Sequence, residues 1–596
     1  MPLFGASIEI RDSLVQENFD VAPSRPGYVR AGDESFSRTP ASARARGASG
    51  DLYGQWLAAA RVAAGKARMA SERAGNAPVA LARLAQAELS AGMENEAKKS
   101  AETVLLRSLE TYREHGEGAV DLAACYAASK VLIALHVADM ATSFLQELPS
   151  APSLLKLRAE LAVDAKDFAT ALEIIEPLES SDAQSLRGYI YMMTGDYASA
   201  LRSLRAAARE FPNDADIAMN MALAYRNLGS LKKSLKMVYR ASRISPGRKD
   251  VSLGLIGELI HMGSLKGAET EIKRLKASGV IESADFLMMQ ARLQGALGNE
   301  SKVLIFLRKA AHQARTEGSA EIEAEVDAHL ALARLSIGEI SREEAQAVIL
   351  SGLSQAPDSL GLTLMYADVC DDIRASEVIA ERLRRHRRNY PGANLKAIES
   401  RLAFLELRFE DSARLIQEWA ESRPGDAESA SHAVILTGQA TGDWQVAADL
   451  ARRFFREGRE SAGLRNNAAY VMAFSGAANE AAGILSLVED DSFIIRATRG
   501  LVLIARGEFE SGMRLYRDAA GSLDSHSNGE TYRCLMAVHQ GIALRAFGVV
   551  GTVSPVELKA LSLPASLPKG WEHKVSLRVL QHICDVHGYP WPPIID

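Results

Sequence analysis

Residues 182–214, DAQSLRGYIYMMTGDYASALRSLRAAAREFPND, decide the fold. Two helical runs flank Gly195, and Pro212 closes the second. Glycine suits a left-handed turn between helices. Proline ends a helix, because it has no amide proton and clashes with the preceding turn. The same marks recur along the chain. Gly195, Gly229 and Gly263 follow one another at a single fixed step, and Pro212 and Pro246 repeat that step. A period of about 34 residues marks one helical hairpin copied many times. Within the unit, Gly188 and Ala200 lack bulk, so the paired helices can approach closely. Tyr191, Tyr197 and Leu204 fill the seam, and Ala207 lets the next hairpin settle.

Further units follow in phase. Ala222, Tyr225, Gly229, Leu231, Ser234, Val238, Ala241 and Pro246 form one. Ile256, Gly263, Leu265, Ala268 and Ile272 form the next, and Ala291, Gly298, Val303, Leu307 and Ala310 slip by one residue. Gly442 with Trp444 and Ala447, Gly476 with Ala469 and Ala481, and Gly507 with Gly500, Phe509, Tyr516 and Ala519 continue the series. Ala85, Gly92 and Ala97, then Ala159, Phe168, Ala171 and Ile175, extend it toward the N-terminus. Pro357, Pro391 and Pro424 mark helix ends where the copies degenerate. In this pattern of small, aromatic, glycine and proline positions the chain resembles the tetratricopeptide repeat (TPR) family over residues 75 to 525. The expected fold is all-α, a right-handed superhelical solenoid of about ten to twelve TPR-like hairpins. Residues 1–50 are expected to be a flexible Pro-, Gly-, Ser- and Arg-rich arm, 51–525 the solenoid, and 526–596 capping helices with a Pro-rich tail.

The formal net charge of −6 gives no general attraction to nucleic acid or anionic membrane. Four scattered cysteines, Cys125, Cys370, Cys534 and Cys584, do not form a disulfide framework and suit a reducing compartment. No basic stretch precedes an apolar run near the N-terminus, and no segment reaches the roughly 20 apolar residues of a membrane span. A cytoplasmic protein is the expectation.

Catalytic signatures are missing: the chain has no GxxxxGK[ST], HExxH, GxSxG or GxGxxG. Asp214 and Asp216 fall at a turn between hairpins, where aspartate caps helices. His582, Cys584 and His587, with Cys534 upstream, hold zinc-compatible atoms, but His582 does not share the helical spacing of the other two. No catalysis, cofactor or metal is expected. Arg382, Arg384, Arg385, His386, Arg387 and Arg388 form the sharpest charge feature. Arg384, Arg385, Arg387 and Arg388 are candidate anion ligands, although cations at a helix C-terminus are also favoured by its dipole.

Methionine marks the best candidate groove, with eight of the sixteen between Met192 and Met289. The TPR resemblance implies that first-helix positions line a concave groove. It places Tyr189, Met192, Met193, Met219, Leu223, Arg226, Asn227, Ile260, His261, Met288 and Arg292 there. Flexible, polarizable methionine can repack around varied apolar partners, although the same side chains also serve as ordinary packing between repeats. Met219 and Leu223 occupy two sites of the carboxylate clamp known in TPR receptors for chaperone tails, and Asn466 and Asn467 recover only fragments of it. The resemblance therefore implies a non-catalytic scaffold for a protein or peptide partner, and similar long bacterial proteins serve pilus, secretion or envelope machinery. The alternatives are a ligand-sensing regulatory receptor and an RNA-binding solenoid that uses residues 382–388. Replacing Met192 and Met219 by glutamate is expected to weaken partner capture.

Overall fold

The computed structural model describes residues 50–593, apart from 92, 117–118, 136, 138–140, 144–151, 165–166, 247, 278–282, 298, 319, 390–394, 424–425, 490 and 565. The expected N-terminal arm therefore lies outside the described residues. So do Gly92, Gly298, Pro391 and Pro424. Among the described residues there is no strand, only two isolated bridges, Asp372 with Lys574 and Val550 with Val553.

Antiparallel helix pairs follow one another along the chain. Ser181–Met193 packs on Tyr197–Glu210, Ala215–Asn227 on Leu231–Ile244, Lys249–His261 on Leu265–Ala277 and Ala284–Ala296 on Glu300–Glu317. Ala320–Ser336 with Arg342–Gln355, Leu360–Val369 with Ser376–Asn389, Lys396–Leu405 with Phe409–Glu421 and Ala427–Thr441 with Trp444–Arg456 continue the stack. Ala462–Phe474 with Ala478–Leu485 and Phe493–Ala505 with Phe509–Gly521 complete it, and the long helix Gly529–Ala546 follows.

The same hairpin turn recurs at Gly229, Gly263, Gly338, Gly476 and Gly507. Gly229 adopts φ 70°, its N–H donates to Arg226 O (2.8 Å), and Ser230 N–H donates to Tyr225 O (2.8 Å). These two bonds satisfy carbonyls that a helix end leaves bare. Leu407 makes the same turn at φ 60° without glycine, with Arg408 N–H donating to Ala403 O (2.8 Å). Aspartate and serine cap the entering helices. Asp214 accepts from the N–H groups of Asp216 (2.8 Å) and Ile217 (3.0 Å), and Asp196 accepts from Ser199 (3.0 Å).

Small residues at matching places in the two helices let them touch. A Cβ on Gly188 would sit 2.6 Å from Leu204 Cγ. Gly500 and Gly512 bring two backbones together, so a Cβ on either would strike the other's carbonyl. Ser400 and Ser412 occupy corresponding places, and there Ser400 Oγ donates to Ser412 O (2.8 Å).

First helices pack on first helices, forming an inner layer, and second helices lie outside them. The burial pattern shows the two layers. Ala215–Asn227 buries eight of its thirteen residues, and Leu231–Ile244 only Ser234, Val238 and Ala241. Apolar packing is not uniform along the stack. Upstream of Ala324 it is divided into local clusters, whereas one continuous core runs from Ala324 to Cys584.

The C-terminal end departs from a simple cap. A terminal capping helix should turn a polar face outward, yet Gly529–Ala546 buries thirteen of its eighteen residues. The chain beyond it doubles back and covers that face. Pro593 O lies against Gly541, where any Cβ would strike it, and Leu563 N–H donates to Gln540 Oε1 (2.7 Å).

Overpacking a tight crossing typically costs about 1–3 kcal/mol. Gly188→Leu is therefore expected to lower the melting temperature and to speed amide exchange in Ser181–Glu210 while leaving Phe493–Gly521 unchanged. Unaltered melting and exchange would mean that this crossing is not the close one.

Candidate functional site: the inner wall

The groove positions inferred from the sequence lie on four consecutive first helices and fall into two groups. Met192, Met219, Ile260, Met288 and Arg292 are buried. The three methionines among them belong to apolar clusters between helices, so they act as packing. Glutamate at Met192 or Met219 would thus disrupt the core and would not report on binding. Tyr189, Met193, Leu223, Arg226 and His261 keep partly exposed surface, and Asn227 is exposed, its amide donating to Leu223 O (2.9 Å).

This wall faces another part of the chain. His261 feels the charges of Asp426 and Arg423, which stand at the junction of two hairpins far downstream, together with those of Arg226 and Arg292. Arg226 pairs with Glu258 (3.6 Å), and Arg423 with Asp426 (2.9 Å). Charged side chains line the wall at this level. Burial pulls the basicity of three inner histidines down, His261 and His432 to about 4 and His329 to about 3. The neighbouring arginines reinforce the effect. Asp426 opposes it at His261 and His432. Periodicity gave no hint of this network, because its members come together only through the curvature of the stack.

Farther along, the inner wall is already filled. The terminal helix Val575–His587 lies across successive hairpins of the 360–546 region. At its start, Asp371 accepts from Ser576 N–H (2.7 Å) and Ser576 Oγ (2.6 Å), and Asp371 O accepts from Val575 N–H (3.1 Å). At mid-helix the His582 ring packs 5.1 Å from that of Phe409, and its Nε2 donates to Ala440 O (2.8 Å). At its end His587 Nε2 accepts from Trp444 Nε1–H (3.1 Å). Leu577, Val579, Leu580, Ile583 and Cys584 are buried in the main core. The ends of the same turn also meet. Ser527 N–H donates to Gly338 O (3.1 Å), and Arg342 N–H donates to Asn528 Oδ1 (3.1 Å). Residues 338–593 thus close on themselves around their own last helix.

The architecture is a solenoid of TPR-like hairpins. Among solved structures, a tetratricopeptide repeat protein from Parabacteroides merdae ATCC 43184 matches at a TM-score of 0.33 and 13% identity, covering 45% of this chain and 98% of its own. The APC/C hetero-tetramer Cut9–Hcn1 matches at a TM-score of 0.44 and 11% identity, over 83% of this chain and 95% of that one. No protein-family model and no curated protein matches the chain.

The remaining sequence candidates are placed as follows. The basic run disperses around Ser376–Asn389. Arg385 pairs with Asp358 (2.6 Å) and Arg387 with Glu399 (2.8 Å), whereas Arg384 and Arg388 are exposed. His386 is buried, with Nε2 against Thr363 Oγ1 (2.8 Å). His582 and His587 serve the terminal helix, and all four cysteines are buried and free. The described residues hold no group of three or more His, Cys, Asp or Glu side chains placed for a metal ion, and no helix long and apolar enough to cross a membrane.

Both the seated helix and the buried histidines can be tested. Hydrogen bonds to a charged group contribute about 1.5–3 kcal/mol. Asp371→Asn is therefore expected to raise amide exchange in Val575–His587 while sparing Ser181–Ile244; equal protection would show that the pair does not hold the helix. The second test concerns acid. An unfolded histidine binds its proton near pH 6.5, well above the value for the buried His329. The contribution of this group is thus complete above about pH 6.5 and is lost progressively as pH falls toward the folded value. Denaturation titrations of His329→Gln should show a shallower decline between about pH 6.5 and 4 than those of the parent chain. Parallel declines would show that His329 is not held neutral.

Proposed function

We propose that the protein is a non-catalytic interaction scaffold that holds a protein or peptide segment against the inner wall between Ser181 and Ala296. One observation carries the reading. In the C-terminal half, the corresponding inner surface buries an amphipathic helix, the chain's own Val575–His587. In the N-terminal half, the first helices leave Tyr189, Met193 and Leu223 partly exposed beside Arg226 and His261. A mixed apolar and cationic surface of this kind suits a helix or extended peptide with apolar anchors and an acidic group. Arg226 already shares Glu258, so an incoming carboxylate would compete for an existing partner. Service in a pilus, secretion or envelope assembly is the finer form of this reading, and the identity of the captured partner decides it.

The test is site-specific photo-crosslinking in cells. A photoreactive residue at Leu223 should give a discrete protein adduct, and one at Val348 on an outer helix should not. Met193→Glu with Leu223→Glu is expected to weaken capture of that partner at least tenfold, about 1.4 kcal/mol, with helicity unchanged. Undiminished capture, or adducts formed only from Val348, would remove the inner wall from the account.

A further inference from the structure

We propose that the outer face of the middle hairpins is a nucleic-acid-binding surface, with the phosphodiester backbone lying across the second helices of three successive repeats. The net charge of −6 conceals a strong segregation. Residues 197–277 carry fifteen Lys and Arg against seven Asp and Glu, a net of +8, which leaves −14 for the rest of the chain. Four of those seven carboxylates already have partners: Asp216 and Asp250 on Arg248, Glu258 on Arg226, and Glu271 on Arg274.

The centre of the surface is Leu231–Ile244. It carries Lys232, Lys233, Lys236, Arg240 and Arg243 and no acidic residue. None of the five has a carboxylate partner among the described residues; Arg240 donates to Pro212 O (2.6 Å), and Lys233 lies over the Tyr225 ring. Like charges three and four apart on a helix repel, so this helix holds an unrelieved positive field. The period of the repeat carries the field sideways. Arg202 occupies the place of Lys236 one hairpin earlier, and Arg209 that of Arg243. On the next helix Lys266 takes the place of Lys232, and Lys273 that of Tyr239. The repeat thus sets these cations at matching positions on three successive second helices, in rows that cross the outer face.

The chemistry of the surface selects the ligand. Across Tyr197–Glu210, Leu231–Ile244 and Leu265–Ala277, the only large hydrophobic side chain exposed is Tyr239, at 44%. A membrane-docking helix presents an apolar face to the lipid; here that face, with Leu204, Val238 and Ile272, is buried in the hairpins. A protein interface needs a cluster of apolar anchors at its centre, and this surface has none. A nucleic acid needs neither, because cations gain affinity by releasing counterions from phosphates, and one exposed ring among them offers a base a stacking platform. The surface is separate from the inner wall, so each stands or falls by itself.

The test uses the full-length protein and a labelled, mixed-sequence RNA of roughly 30 nucleotides, read by anisotropy at about 50 and 200 mM salt. Binding is expected at the lower salt and should fall steeply at the higher. Lys232→Glu, Lys236→Glu, Arg240→Glu and Arg243→Glu together should weaken it more than tenfold and flatten the salt dependence by about 0.7 log units per lost phosphate contact. The corresponding glutamine set should do the same in smaller measure with an unchanged helical spectrum. Met193→Glu with Leu223→Glu should bind as the parent does. No binding at the lower salt, or full affinity in both charge variants, would overturn the proposal. So would equal binding of polyglutamate, or binding of anionic vesicles in place of RNA.

Discussion

Everything in this molecule depends on how closely two antiparallel helices approach within a hairpin. At Gly188 the clearance to Leu204 is too small for a single added carbon, and at Gly500 and Gly512 two backbones meet directly. Close approach fixes the angle within each pair, and the recurrent left-handed turn fixes the phase of the second helix against the first. With both set, the position of the next hairpin follows from packing between neighbours. The inner layer then curves without any contact planned over long range. The inner wall and the order of the outer helices are both consequences of that local rule.

A stack of this kind has an intrinsic difficulty at its ends and along its inner face, since both expose apolar surface. The two halves resolve it differently. Upstream, packing is confined to clusters the size of one or two hairpins, and polar groups such as Glu258, Gln290 and Arg292 are buried along the inner layer. Downstream, the chain supplies its own ligand. Asp371, Ala440 and Trp444 hold Val575–His587 at three points, and the apolar side of that helix joins the core that is continuous from Ala324 to Cys584. Cooperative units follow continuous burial. The downstream half is therefore one unit, and the upstream hairpins are a series of smaller ones, linked to it by charge interactions such as that of His261 with Asp426.

How much of this was legible depended on which residues carried each feature. The hairpins at 182–310 and 442–519 could be read because small residues and turn glycines stand in place, with Pro212 and Pro246 closing the first two. The register between 326 and 425 could not, for physical reasons visible at particular positions. Leu407 takes the left-handed turn that glycine marks elsewhere, and Ser400 with Ser412 replaces the small apolar pair. Leu360–Val369 leaves its helix in extended conformation at Cys370, without a left-handed turn at all. The groove residues could be assigned to positions but not to exposure. Burial there depends on partners far away in the chain, as with His261 and Asp426.

The same limit applies to charge, which composition reports only as a sum. A net value sums over faces, and a repeat protein separates its faces by period. A residue type placed once per repeat at an outer position forms a row on the surface, however dilute it is in the sequence. The arginine run at 382–388 is dense in sequence and yet spreads around its helix, with Arg385 and Arg387 neutralised by carboxylates from neighbouring segments. The cations of 202–273 are spread over three hairpins and recur at matching outer positions of the repeat. In a solenoid the electrostatic surface is set by register, so charge has to be counted along the rows that the repeat creates.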